Sequence, residues 1–320
     1  MSNQHINPTV RPVDPFDPQE DARCLKKAMK GLGTDEKSLT NILSKRSYEQ
    51  RMEINVYYKT MYGKDLQQDL QDETSGHYRD ALIALVTPLP CYYAKELNDS
   101  LRGICTNEDV LIEILATLTN NQLKAVRNAY VKNYGKDLES DIIGDTSGTF
   151  RRLLVALNNA GRDESSVIDM SAVERDAKAL YNAGAKRLGT DEDEFIQIFC
   201  QRSYEHLRVV FEQYKILSGK EIEQSIKSEF SGDSKECLLA IARHVLCPSL
   251  HFAKRIRGAF KLLTTKHNQL IRFIVTRSSI DMADVKIDYK TKYGHNLEKD
   301  IKKYSGGDYS KLLLALIAEN

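Results

Sequence analysis

Long apolar runs are missing from this sequence. The longest, Ala81–Val86 (ALIALV), falls far short of the ~20 apolar residues that a membrane-spanning helix needs. Net charge is also nearly absent: 46 Lys and Arg against 45 Asp and Glu leave +1. No overall basic field is available to hold nucleic acid or an anionic membrane, so no nucleic-acid partner is expected. The opening MSNQHINPTV lacks a charged start followed by an apolar core, so no secretory signal is read there. Six cysteines occur without CxxC spacing, which predicts reduced thiols and a cytoplasmic protein. HExxH, GxxxxGK[ST], a nucleophile elbow and an EF-hand loop are all absent. No nucleophile, base and orienting group stand together, so the expectation is a binding protein and not an enzyme.

What the chain does have is a fourfold internal rhythm. Thr34, Thr106, Thr190 and Thr265 each precede a Ser/Gly turn position (Ser75, Ser147, Ser231 and Gly306) by 41 residues. Gly63, Gly135, Gly219 and Gly294 keep the same phase, with steps of 72, 84 and 75 residues. The string YGKDL recurs unchanged at Tyr62–Leu66 and Tyr134–Leu138. Three landmarks in register across four copies define a structural repeat.

Apolar residues inside each repeat follow helical spacing. In the first, the stripes are Ala22, Leu25, Ala28, Met29; Leu39, Ile42, Leu43; Ile54, Tyr57, Tyr58, Met61; Leu66, Leu70; and Tyr78, Ala81, Leu82, Leu85. Thr34 reads as an N-cap followed by two acids. Ser47 with Gln50, and Thr119 with Gln122, fit capping boxes, and the four glycines fit left-handed C-caps. The expected fold is all-α, with five helices in each of four repeats. Residues 1–16 form a short proline-rich tail, and 17–88, 89–160, 173–246 and 247–320 the repeats. The step of 84 places a connector at 161–172.

The chemistry lies in loops. Repeat one reads Met29-Lys-Gly-Leu-Gly-Thr34, then Asp72-Glu-Thr-Ser-Gly76. Glycines at 31 and 33 permit backbone angles that turn carbonyl oxygens outward. Calcium is a hard cation that takes ~6–8 oxygens. Carbonyls of Met29, Gly31 and Gly33 with both oxygens of Glu73 would leave room for water or an external phosphate oxygen. An open site with one carboxylate should be weak alone and tighten when phosphate completes it. The plain alternative is a helix–helix turn with no ligand.

MKGLGTDE with the acid-TSG turn, four repeats of about seventy residues and the longer central connector resemble the annexin family, from about Phe16 to the end. The resemblance implies a slightly curved helical disc that binds acidic phospholipid membranes reversibly through calcium on its convex face. Carried over by position, it implies a complete set in repeat one (Met29, Gly31, Gly33, Glu73). In repeat three, whose loop is longer, it implies Gly184, Arg187, Gly189 and Glu229. Repeat two offers Leu101, Gly103 and Asp145, but Cys105 replaces the second glycine and its side chain resists the carbonyl-out geometry. Repeat four has no loop glycine, and Tyr304 stands at the acid position, so no calcium site is expected there.

Leu32 and Leu188 at the loop tips are candidates for dipping into the headgroup layer, and Lys30, Arg102 and Arg187 for assisting with anionic lipid. Surface residues with no such role are the alternative for each. At the family's central polar channel Glu96, Glu113 and Arg272 are kept. Tyr93 and Leu118 replace an acid and an arginine, so ion conduction is not expected. A second functional reading is a helical scaffold for protein partners with partly vestigial calcium sites. Self-association on membranes is left open.

Overall fold

The chain is described here from a computed structural model covering residues 6–31, 33–102, 106–184, 186, 189–261 and 264–319. Its twenty helices fall into four sets of five, with no strand among the described residues. Repeat one contains α1 (Pro18–Ala28), α2 (Glu36–Leu43), α3 (Tyr48–Tyr62), α4 (Leu66–Glu73) and α5 (Gly76–Val86). Repeat two contains α6 (Leu89–Leu101), α7 (Glu108–Thr117), α8 (Asn120–Tyr134), α9 (Leu138–Asp145) and α10 (Gly148–Asn158). Repeat three follows with α11 (Met170–Ala183), α12 (Glu192–Gln201), α13 (Tyr204–Ser218), α14 (Ile222–Glu229) and α15 (Gly232–Leu246). Repeat four has α16 (Pro248–Ala259), α17 (His267–Ser278), α18 (Met282–Tyr293), α19 (Leu297–Tyr304) and α20 (Gly307–Ile317).

Local chemistry explains the helix ends. Ser47 and Thr119 close capping boxes with Gln50 and Gln122, as their spacing predicts, and Glu221 closes a third with Gln224. The third helix of each repeat ends on a left-handed glycine, with φ of 66°, 66°, 70° and 73° at Gly63, Gly135, Gly219 and Gly294. One cap differs from the sequence reading. Asp35, not Thr34, caps α2: its carboxylate accepts from the Ser38 amide, while the Thr34 hydroxyl is used elsewhere.

The helices form two compact units. One holds repeats two and three, Leu89–Pro248; the other holds repeats one and four. In the first, α10 packs on α7, α12 and α15, and α7 packs on α15. Leu111, Leu153, Leu154, Phe195, Phe199, Leu238 and Ile241 are fully buried there. Each such side chain contributes ~1.5–3 kcal/mol of burial. The second unit repeats the arrangement: α5 packs on α2, α17 and α20, and α2 on α20, around Leu39, Leu82, Leu85, Leu270, Phe273, Leu312 and Leu313. Met61, expected in the α3 stripe, is 36% exposed. Tyr62, one residue on, instead packs edge-on against buried Tyr58, with centroids 5.1 Å apart.

Two connecting segments are fastened more firmly than their composition foretells. The proline-rich tail is tied within its own unit. Thr9 and Val10 amides donate to the Ser278 carbonyl at 3.0 Å, Thr9 Oγ1 donates to the Leu316 carbonyl at 2.6 Å, and both residues are buried. Between α10 and α11, Arg162 donates to the carbonyls of Arg202 and Phe199 at 2.6 and 2.8 Å and lies 4.5 Å over the Tyr204 ring. Its own carbonyl accepts from Asn120 Nδ2 at 2.7 Å.

Candidate calcium and membrane-facing loops

Each loop between the first two helices of a repeat is shut by one main-chain hydrogen bond. Asp35 donates to Ala28, Asn107 to Ser100, Asp191 to Ala183 and Lys266 to Ala259, at 2.9, 2.9, 2.8 and 2.9 Å. The bond spans seven residues in three repeats and eight in the third, which accounts for that repeat's longer loop. In repeats one, two and four the residue opening the loop buries its side chain: Met29 and Phe260 are 6% exposed and Leu101 7%. At Met29 and Leu101, therefore, only the backbone is on offer.

The anchor threonines join these loops to the acid-bearing helix ends 39 residues on. Thr34 Oγ1 donates to the Glu73 carbonyl at 2.9 Å, and Thr106 Oγ1 to the Asp145 carbonyl at 3.4 Å. Thr190 Oγ1 reaches both the Glu229 carbonyl at 3.4 Å and its Oε2 at 2.8 Å. Loop and acid-bearing helix end therefore meet in repeats one, two and three, and in repeat three the carboxylate itself is bonded.

In repeat one Gly31 and Gly33 are exposed with φ of 110° and 93°, angles that a side chain would strain. Glu73 is exposed at the C-terminus of α4. In repeat three Gly189 has φ of 81°. Gly184 is buried, and a Cβ built there would stand 3.3 Å from Glu229 Cγ. The glycine thus lets the carboxylate lie against the loop, a close approach the sequence pattern did not reveal. In repeat two Leu101 is buried, Arg102 exposed, and Asp145 exposed at the end of α9. Gly103, Cys105, Arg187, Leu32 and Leu188 lie outside the described residues. Lys30 is exposed.

Repeat four departs throughout. Phe260 and Tyr304, at the positions of Met29 and Glu73, stack at 5.3 Å with their planes 24° apart. Thr265 turns its hydroxyl back to the Lys261 carbonyl at 3.3 Å instead of crossing to the turn. An aromatic pair thus fills the space where the other repeats bring an acid to a loop.

Repeats one and four border a polar cavity of about 610 Å³. Glu36, Glu73 and Ser75 line it from one side, and Lys303, Tyr304 and Asp308 from the other. Across it the imidazoles of His77 and His267 stack at 4.0 Å. Burial and then the neighbouring His77 push the His267 pKa below its ordinary value. Neither histidine has metal-ligand spacing along the chain, which by itself reads as surface or satisfied core; the stack joins two that are distant in sequence.

Among the described residues no three His, Cys, Asp or Glu side chains converge on one point. In repeats one, two and three a single acid-bearing helix end stands beside each loop, and oxygen atoms of that kind suit a hard cation better than zinc or copper. No described helix is long and apolar enough to cross a membrane.

The fold defines a four-repeat, all-helical protein. A family model for Annexin matches residues 20–85, 92–157, 175–241 and 251–316, and the chain belongs to the annexin family, whose members bind phospholipid in a calcium-dependent way. Annexin A4 of Bos taurus is 44% identical over 308 residues, covering 96% of this chain and 97% of that protein. The solved structure of annexin III is similar with a TM-score of 0.95 at 43% identity, covering 97% of each chain. A calcium-bound annexin (Sm)1 is similar with a TM-score of 0.91 at 33% identity, over 99% of this chain and 95% of that one.

Proposed function

We propose that this protein binds acidic phospholipid membranes reversibly from the cytoplasm through calcium held in the loops of repeats one and three. In repeat one the carbonyls of Met29, Gly31 and Gly33 and the carboxylate of Glu73 hold the ion. In repeat three Gly184, Arg187 and Gly189 serve with Glu229. The observation carrying this reading is the meeting of loop and acid: Thr34 on the Glu73 carbonyl, Thr190 on the Glu229 carboxylate, and Gly184 leaving room for Glu229. Three carbonyls and one bidentate carboxylate leave calcium short of its usual ~6–8 oxygens, so a lipid phosphate completes the shell. Calcium and lipid then strengthen each other's binding. Repeat two, with Leu101, Gly103, Cys105 and Asp145, contributes less because Cys105 replaces a glycine. Lys30 and Arg187, with Leu32 and Leu188, meet the headgroup layer beside the ion. The role is one of binding, with no catalytic step.

Co-sedimentation with phosphatidylserine vesicles, with and without calcium, tests the reading. The double variant Glu73→Gln/Glu229→Gln should need far more calcium to pellet than wild type. Equal calcium requirements would reject the mechanism. The Phe260–Tyr304 plug favours a second reading, a protein scaffold whose calcium loops are being lost. Calorimetry separates the two, because in a scaffold the calcium heat does not change when vesicles are added.

A further inference from the structure

The fourth repeat has lost its acid and gained fixed positive charge. Residues 247–320 carry 14 Lys and Arg against 7 Asp and Glu, while the rest of the chain holds 32 basic and 38 acidic residues. The excess reaches the very loops that elsewhere are acidic. Lys266 and His267 stand where the other repeats have Asp35–Glu36, Asn107–Glu108 and Asp191–Glu192. Lys303 and Tyr304 replace Asp72 and Glu73. Lys261, Lys266, Lys302 and Lys303 are all exposed. The Phe260–Tyr304 stack brings the two loops together, and Lys303 Nζ stands 5.0 Å over the Tyr304 ring.

We infer that this basic loop pair is a calcium-independent docking surface for an anionic phospholipid bilayer. The observation that selects a bilayer is position. The lysine-bearing end of α19 and the Glu73-bearing end of α4 border one cavity, so a surface reached by the calcium loop of repeat one also meets the lysines of repeat four. The acids on that border are Glu36, Glu73 and Asp308; Asp308 is paired with Lys311 at 2.9 Å, which leaves two carboxylates against Lys261, Lys302 and Lys303 when no calcium is present. The inference rests on the membrane reading above for its choice of partner. Its mechanism is separate: lysine charge takes the place of the ion.

The test uses full-length protein, chelator in place of calcium, and vesicles of equal parts phosphatidylserine and phosphatidylcholine at salt on the order of 20 mM, where screening is weak. Wild type should pellet and be released as salt is raised. Lys261→Glu/Lys302→Glu/Lys303→Glu should lose roughly 100-fold or more in partitioning, from ~1 kcal/mol per surface lysine. At saturating calcium the triple variant should still pellet, which shows it is folded and keeps the calcium result apart. Failure of wild type to pellet in chelator, or equal pelleting of the triple variant, overturns the inference. So does equally tight binding of a single-stranded RNA under the same conditions, which would assign the patch to nucleic acid.

Discussion

Thr190 gives its hydroxyl proton to Oε2 of Glu229 at 2.8 Å, while Thr34 gives its own to the main-chain carbonyl of Glu73. The same anchor residue therefore aims the carboxylate itself in repeat three but only the helix end that carries it in repeat one. Thr190→Val should weaken calcium binding at repeat three about 5-fold, the worth of one hydrogen bond of ~1 kcal/mol. Calorimetry in a Glu73→Gln background with vesicles present isolates that site. Thr34→Val should act mainly on stability, by about 1 kcal/mol.

Restoring the missing acid should not restore a site in repeat four. Tyr304→Glu leaves the loop without glycine and sets a carboxylate against Phe260, which is 6% exposed. Calcium stoichiometry should stay unchanged while the melting temperature falls, since a buried apolar contact is lost and a charge is placed beside it. A new calcium-binding event in titration would show that the acid alone was limiting.

Arg51 is 1% exposed in α3 and donates to the carbonyls of Arg46 and Leu85 at 2.5 and 2.9 Å. Burial pushes its pKa down to about 10. Arg51→Met should cost about 3 kcal/mol in chemical denaturation, because those carbonyls are left unpaired. Arg51→Lys should recover little, as an ammonium lacks the planar fork that reaches both.

Acid should loosen the seam between repeats one and four. The folded pKa of His267 lies below its unfolded value, so the unfolded chain takes up the proton first. Above about pH 6.5 the residue is neutral in both states and contributes nothing; stability is lost as pH falls through that value toward the depressed folded one. The groups around it are the stacked His77 ring, the Tyr309 hydroxyl at 3.4 Å, and Glu36, Glu73, Asp308 and Lys303 about the cavity. Between pH 7.5 and 5.5 wild type should lose roughly a degree or two of melting temperature more than His267→Gln. Parallel curves would mean that His267 takes up its proton freely in the folded protein.

The all-helical, five-per-repeat plan was legible because helical periodicity and capping are local. Ser47–Gln50, Thr119–Gln122 and the four C-cap glycines are each written within a few residues of the helix end they set. The meeting of loop and acid was legible only through repetition, as one fixed spacing seen four times. What escaped the sequence depends on distant neighbours. The Gly184–Glu229 approach, the His77–His267 stack and the Phe260–Tyr304 pair each join residues more than 40 positions apart. Thr34 misled as a cap because its better use lay across the fold, and Met61 because a turn's worth of apolar spacing does not say which of two neighbours faces inward.

The stretch between α10 and α11 looks from its composition like a place to cut. Arg162 makes it the opposite, gripping the end of α12 while Asn120, at the start of α8, holds the Arg162 carbonyl. A protease offered this stretch would have to break a staple before it found a substrate, and residues 89–248 should come away from a digest as one intact half and not as two quarters.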